Sequence, residues 1–218
     1  MKLALIQKAI TDTDCARWLD GVDRPVDVVC FAELATTGAL YERGAVEDAM
    51  VVAKSLVRDE FGVLVGLPLE AEYGLSNTCV LIDGKAMYWY SKINLFEPFN
   101  EPQVFIPGKK PGIFGTRWGK LGMAICYDIR FEWIFATMAD RGVGTVFVPS
   151  AFPRVRVADF AGLLVEYAER FGMNMVGINA VGDDGRHEFG GRSMIVRAGG
   201  EIVAEADETS EVVVYGEV

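Results

Sequence analysis

Three ionisable side chains in this 218-residue chain stand just past apolar runs: Glu33 after Val26 to Ala32, Lys92 after Ala86 to Tyr90, and Cys126 after Leu121 to Ile125. Their types are complementary. A carboxylate can take the proton of a thiol, the activated sulfur can attack a carbonyl carbon, and an ammonium can hold first the thiolate and then the oxyanion. Each has a plainer reading when taken alone. A buried cysteine is usually a small hydrophobe, and a buried Glu-Lys pair is a weak stabiliser. The setting of Cys126 favours a nucleophile, because Asp128 can cap a helix of about Phe131 to Arg141 whose amide dipoles aim back at the sulfur and favour thiolate. His187, the one histidine of the chain, is the only candidate for a Cys-His pair. Lying between Arg186 and Glu188 in a turn rich in Gly and Asp, it reads as solvent-exposed.

The elements that present these groups follow from periodicity and punctuation. Lys2 to Gln7 is a first strand, and Thr11 to Asp14 starts a short helix that ends near Gly21, before Arg24-Pro25. Val26 to Ala32 and Val63 to Leu69 are buried strands, and Gly44 to Glu60 has helical spacing in Val46, Met50, Ala53 and Val57. Ser76 to Ile82 pairs with Ala86 to Tyr90 across Asp83-Gly84. Glu97 to Lys110 is an ordered Pro-rich loop over a site, and Gly112 to Trp118 with Lys120 to Ile125 is a second hairpin. Then follow a strand at Gly144 to Pro149, a loop from Ser150 to Val157, a helix at Ala158 to Phe171 and a strand at Met173 to Val181. A hairpin across Gly199-Gly200 and a last strand from Glu211 to Tyr215 complete the chain. Several strands are apolar on both faces, so two mixed sheets packed together with helices outside are expected, an α/β (α+β) layered sandwich.

Composition bounds the function. A 51% hydrophobic chain of this length can bury a full core, and no boundary divides it, so residues 1–218 read as a single domain. Lys and Arg number 21 against 31 Asp and Glu, a net charge of -10 without a basic cluster, which argues against nucleic acid. Cys15, Cys30, Cys79 and Cys126 show no CxxC spacing, so neither disulfides nor a metal site is expected, and no cofactor is called for. No apolar run is long enough to cross a bilayer; the expectation is a soluble, cytoplasmic protein with no membrane partner.

The segments around the three groups resemble the carbon-nitrogen hydrolase (nitrilase) superfamily. Phe31-Ala32-Glu33-Leu34-Ala35-Thr36-Thr37-Gly38 is similar to its glutamate motif, Tyr90-Ser91-Lys92-Ile93-Asn94-Leu95-Phe96 to its lysine motif, and Gly122 through Cys126-Tyr127-Asp128-Ile129-Arg130-Phe131 to its cysteine motif, in family order. Glu101 through Pro107-Gly108 resembles the loop with the family's second glutamate. Pro149-Ser150-Ala151-Phe152-Pro153 resembles the strand end after the nucleophile helix, and Gly190 to Val196 the late hairpin.

The resemblance implies a four-layer αββα sandwich and an acyl-enzyme. Glu33 would be the general base, Cys126 the nucleophile, and Lys92 with the backbone N–H of Tyr127 the oxyanion site. Glu101 would position Lys92 or the substrate amide. Tyr127-Asp128-x-Arg130 resembles the amidase and carbamoyl-hydrolase branches, so the implied substrates are small amides of ω-amide or N-carbamoyl type. Arg130 would brace the motif through Asp128 or touch substrate, and Phe152, Arg154 and Arg156 would meet the substrate, the arginines through a carboxylate. The lysine motif has Asn94 where histidine is common. Relatives generally continue past the last strand into a segment that contributes to a subunit interface; the partners implied are the amide and a second copy, as a homodimer or higher homo-oligomer. Two other classes share the same residues: an acyltransferase passing the acyl group to an amine, and a catalytically silent binding protein.

Overall fold

The computed structural model describes residues 1–41 and 48–218. The first half contains β1 (Lys2–Gln7), α1 (Cys15–Asp20), β2 (Val28–Phe31), α2 (Ala49–Ser55), β3 (Gly62–Ala71), β4 (Gly74–Asp83) and β5 (Ala86–Ser91). After a 3-10 turn at Glu97–Phe99 come α3 (Glu101–Val104), β6 (Gly112–Thr116) and β7 (Gly119–Met123). A second 3-10 turn, Cys126–Arg130, leads into α4 (Glu132–Asp140), β8 (Thr145–Ser150), α5 (Val157–Phe171) and β9 (Asn174–Asn179). The remaining strands are β10 (Val181–Asp183), β11 (Glu188–Gly190), β12 (Met194–Val196), β13 (Ile202–Glu205) and β14 (Val212–Glu217).

The strands form two mixed six-stranded sheets, ordered β14-β1-β2-β3-β4-β5 and β13-β12-β9-β8-β7-β6, with β10-β11 as a separate pair. Alternation along β1 and β2 shows how the layers arise. Leu3, Leu5, Val28 and Cys30 enter one buried cluster with Leu121, Met123, Val146 and Val148 of the second sheet. Ala4, Ile6, Val29 and Phe31 face the other way and pack with Leu19, Ala49 and Ala53 of α1 and α2. On the second sheet, a side chain at Gly177 would meet Leu164 and Phe160, and one at Gly122 would meet Met138, so α5 and α4 cover that outer face. The layers are therefore helix, sheet, sheet, helix. Each fully buried Leu, Val, Ile or Phe side chain contributes roughly 1.5–3 kcal/mol relative to exposure.

Strand direction places the site. β1, β2 and β3 are parallel, β4 reverses and β5 reverses again, so β2 and β5 point the same way. Glu33 and Lys92 therefore lie beyond the same end of the first sheet. In the second sheet β7, β8 and β9 are parallel, and Cys126 and Ala151 follow β7 and β8.

Several local expectations change. Gly44 and Val46 of the second helix lie outside the described residues, and the described helix is the shorter α2, capped by Asp48. The Glu97–Lys110 loop contains a 3-10 turn and α3. Asp128 does not cap the helix after Cys126: α4 starts from Phe131, which makes no side-chain cap, and Asp128 sits inside the preceding 3-10 turn. The turn intervenes because the Asp128 carboxylate is occupied by donors from elsewhere in the fold. Among the described residues no helix is long and apolar enough to cross a membrane.

Candidate active site

Glu33 leaves β2 through a corner that Gly66 makes room for. A Cβ at Gly66 would sit 2.5 Å from both Ala32 O and Leu34 N, so only glycine lets β3 pass so close. Leu34 takes a left-handed conformation, φ 49°. The buried Glu33 carboxylate accepts three hydrogen bonds: at Oε1 from Lys92 Nζ (2.8 Å) and Asn77 Nδ2 (2.7 Å), and at Oε2 from Ala151 N (2.9 Å). Asn77 was not anticipated from the sequence. The signal was a polar amide inside the apolar run Leu75 to Ile82, and its meaning depends on the β3–β4 pairing, which brings Asn77 opposite Pro68. The Asn77 Oδ1 is buried without a hydrogen-bond partner among the described residues, so Nδ2 is committed to Glu33 at some cost.

Lys92, only 1% exposed, stands one residue past β5. Its ammonium donates to Glu33 Oε1 and, at 2.7 Å, to Glu101 Oε1. Glu101 Oε2 accepts the Phe96 N–H at 2.7 Å. Burial works against the ammonium, but the two carboxylates outweigh it and hold the Lys92 pKa well above its usual value. Burial raises the Glu101 carboxyl, against the pull of Lys92. An ammonium has three donors, so these two bonds leave one N–H to offer elsewhere.

Cys126 opens the 3-10 turn in a left-handed conformation, φ 46°, a backbone state that costs roughly 1–3 kcal/mol in a non-glycine residue and persists where the surroundings enforce it. The enforcing group is Asp128. Its Oδ2 accepts from Ile125 N (3.0 Å) and Tyr90 Oη (2.7 Å), and its Oδ1 from the Asn94 main chain and amide. The expected thiolate is not the resting form. Burial, then the charges of Glu33 and Glu101, push the Cys126 thiol well above the usual cysteine range, and Lys92 with the Ala151 N–H offsets this only in part. Burial also raises Cys15, Cys30 and Cys79.

A cavity of about 340 Å³ opens onto Cys126, walled by Phe96, Pro98, Tyr127, Phe152 and Pro153, with Arg130 and Arg156 among its lining residues. Both arginines reach Asp159 Oδ2, at 2.7 and 3.5 Å. Arg130 therefore does not brace Asp128; it pairs with α5 instead. Arg154 is outside the cavity lining, pairing with Glu188 at 2.6 Å and Glu208 at 3.7 Å, because the 3-10 turn Arg154–Arg156 turns alternate side chains apart. His187 is half-buried rather than exposed, with its ring on Phe99 at 4.1 Å between centroids. Among the described residues, no group of three or more His, Cys, Asp or Glu side chains could hold a metal ion.

Such an arrangement can add a sulfur nucleophile to a carbonyl beside a fixed cation and a carboxylate. The sequence model for carbon-nitrogen hydrolases matches residues 3–218. Omega-amidase NIT3 of Saccharomyces cerevisiae is 31% identical over 156 residues, 65% of this chain and 52% of that protein. 2-Oxoglutaramate amidase of Bacillus subtilis is 26% identical over 207 residues, 90% of this chain and 80% of that protein. The chain thus spans little more than half the length of some curated relatives it matches. Among solved structures, an amidase from Nesterenkonia sp. superposes with a TM-score of 0.86 at 24% identity, over 100% of this chain and 90% of that one, and so shares the fold.

Proposed function

The chain belongs to the carbon-nitrogen hydrolase family, and we propose that it hydrolyses the C–N bond of small amides through a thioester on Cys126. The observation that carries this reading is the convergence of Glu33, Glu101 and the Lys92 ammonium in one buried hydrogen-bonded cluster, beside the cavity that Cys126 lines.

In the first half-reaction the thiol proton passes to Glu33 as Sγ bonds the amide carbon. Since the resting thiol is held protonated, base and nucleophile act together rather than through a standing ion pair. The carbonyl electrons become an oxyanion, received by the remaining Lys92 N–H and the Tyr127 main-chain N–H. The C–N bond breaks, the nitrogen takes the proton from Glu33, and ammonia or an amine leaves. Water then gives a proton to Glu33 and adds to the thioester; the C–S bond breaks and the sulfur recovers its proton. The net change is amide plus water to carboxylic acid plus amine. Glu101 acts by keeping Lys92 charged and aimed, and Asn77 and the Ala151 N–H fix the Glu33 carboxylate.

For the acyl group, the aromatic and proline walls accept a short carbon chain, and Arg130 with Arg156 at the cavity accepts a distal carboxylate, the chemistry of an ω-amide. Two guanidinium groups share one counter-ion, Asp159, which leaves a positive excess there. Omega-amidase and 2-oxoglutaramate amidase among the relatives support the same substrate class. The test is ammonia release from ω-amides of small dicarboxylates, neutral aliphatic amides and N-carbamoyl amino acids, with Cys126→Ala as control. Release from ω-amides that the control lacks is expected; no release from any of the three classes would overturn the reading.

A further inference from the structure

Tyr41, Asp184 and His187 form a cluster that the mechanism above does not use. The Tyr41 hydroxyl lies 2.5 Å from Asp184 Oδ2 and 2.8 Å from His187 Nδ1. A carboxylate so close can only accept, and a hydroxyl has one proton, so Tyr41 donates to Asp184 and accepts from His187. That fixes the neutral imidazole as the Nδ1–H tautomer. Asp184 also accepts the main-chain N–H groups of Arg186 and His187, and these bonds with that of Tyr41 hold its carboxyl below the usual range against partial burial. Burial and Asp184 raise the Tyr41 hydroxyl, so it keeps its proton. The Arg186 guanidinium lies 4.6 Å from the Tyr41 ring centre.

What the cluster touches is the turn in front of Glu101. Phe99 has the His187 ring at 4.1 Å and the Tyr41 ring edge-on at 5.9 Å. Asn100 Nδ2 donates to the Tyr41 main-chain oxygen at 3.1 Å, and Asn100 is held in a left-handed conformation, φ 59°. The next residue is Glu101, bonded to Lys92. Tyr41, Phe99, Glu33 and Glu101 also line one cavity of about 10 Å³, so the tyrosine shares its wall with both carboxylates.

We infer that Tyr41, anchored by Asp184 and His187, is a positioning residue for Glu101, fixing the Phe99–Asn100 turn and through it the carboxylate that shares Lys92 with Glu33. The inference rests on the reading of Glu33, Lys92 and Cys126 as the reactive groups. Its consequence has a sign. Glu101 is one of the charges that raise the Cys126 thiol, while Lys92, which lowers it, keeps its bond to Glu33; a turn set loose therefore lets Glu101 withdraw and the thiol titrates at lower pH. Simple packing of Tyr41 would affect melting and leave that titration in place.

The experiment measures the pH dependence of Cys126 alkylation by iodoacetamide, followed on the Cys126 peptide by mass spectrometry, together with turnover of a small ω-amide. Tyr41→Phe keeps the ring and removes the hydroxyl. The expected result is an alkylation midpoint at lower pH and kcat about tenfold down with KM nearly constant, the scale of one weakened charge-assisted contact. His187→Leu should do the same, and His187→Asn, whose amide N–H can stand where Nδ1–H stood, should restore both readouts. A midpoint and kcat equal to wild type in Tyr41→Phe and His187→Leu would overturn the inference and leave the hydrolase reading intact. Absence of turnover in the wild type, with the alkylation shift present, would remove the hydrolase reading and leave the positioning one. Should Tyr41→Phe fail to fold, the His187 pair decides by the same two readouts.

Discussion

Asp128 Oδ1 accepts both the main-chain N–H and the side-chain amide of Asn94, each at 2.9 Å. One buried carboxylate thereby joins the segment that follows Lys92 to the turn that carries Cys126, across the two sheets. Asn94 takes up the acceptor that a helix cap would have used. The relationship explains why Cys126 holds its left-handed backbone and why its position relative to Lys92 is fixed before any substrate arrives.

Removing that carboxylate should be costly. Asp128→Ala strands the donors of Ile125, Tyr90 and Asn94 in the interior, and a loss of roughly 3–5 kcal/mol in unfolding free energy is expected, the cost of breaking a buried charged network from one side. Urea denaturation measures it. A loss under about 1 kcal/mol, the scale of an exposed contact, would show that Asp128 does not hold the turn.

Asn77→Leu removes one of the three donors on Glu33 and keeps the volume. The Glu33 carboxylate then turns more freely, and kcat for the amide should fall about tenfold while KM changes little, as one hydrogen bond to a charged group is worth on the order of 1.5–3 kcal/mol. Steady-state kinetics checks this; an unchanged kcat would remove Asn77 from the positioning of Glu33.

Lys92→Ala leaves Glu33 and Glu101 buried side by side without their cation. Besides losing turnover, the variant should lose on the order of 3–5 kcal/mol of stability at neutral pH, and acidification should restore part of it by protonating one carboxylate. Denaturation at pH 7 and pH 5 reads both effects. A variant as stable as wild type at pH 7 contradicts the buried pairing.

Four buried cysteines give the pH dependence at the alkaline side. Cys15 is pushed up to about 11, and Cys30, Cys79 and Cys126 are also raised by burial. A group whose folded pKa is raised contributes stability that is fully present below its unfolded pKa, about 8.5 for cysteine, and is lost as pH climbs towards the folded value. Unfolding free energy should therefore decline from about pH 8.5 upward. Denaturation at pH 8 and pH 10 tests the sign, and greater stability at pH 10 would contradict it.

Much of the fold could be read from local signals. The alternation of Lys2–Gln7, the helix start at Thr11 to Asp14 and the turn dipeptides Asp83-Gly84 and Gly199-Gly200 are properties of neighbouring residues, and the elements stand where those signals put them. Glu33 and Lys92 stand out in the sequence because each follows an apolar run; that they meet depends on β2 and β5 pointing the same way, which only the strand pairing shows. What was not legible depends on contacts between distant segments. Asn77 meets Glu33 only through the β3–β4 pairing, Asp128 is drawn from its helix by Asn94 and Tyr90, and His187 is half-buried because Phe99 and Tyr41 come to it. The protonation of Cys126 depends on distant segments in the same way: a helix dipole favours thiolate locally, whereas burial and two carboxylates keep the proton on the sulfur.

Whether Cys126 carries the acyl group is read by acid-quenching the protein during turnover of a small ω-amide and measuring the mass of the Cys126 peptide. A mass increase equal to the acyl group is expected on Cys126, absent in Cys126→Ala, which also releases no ammonia. Ammonia release by Cys126→Ala at the wild-type rate, or steady turnover in the wild type with the acyl group on another residue, would contradict it.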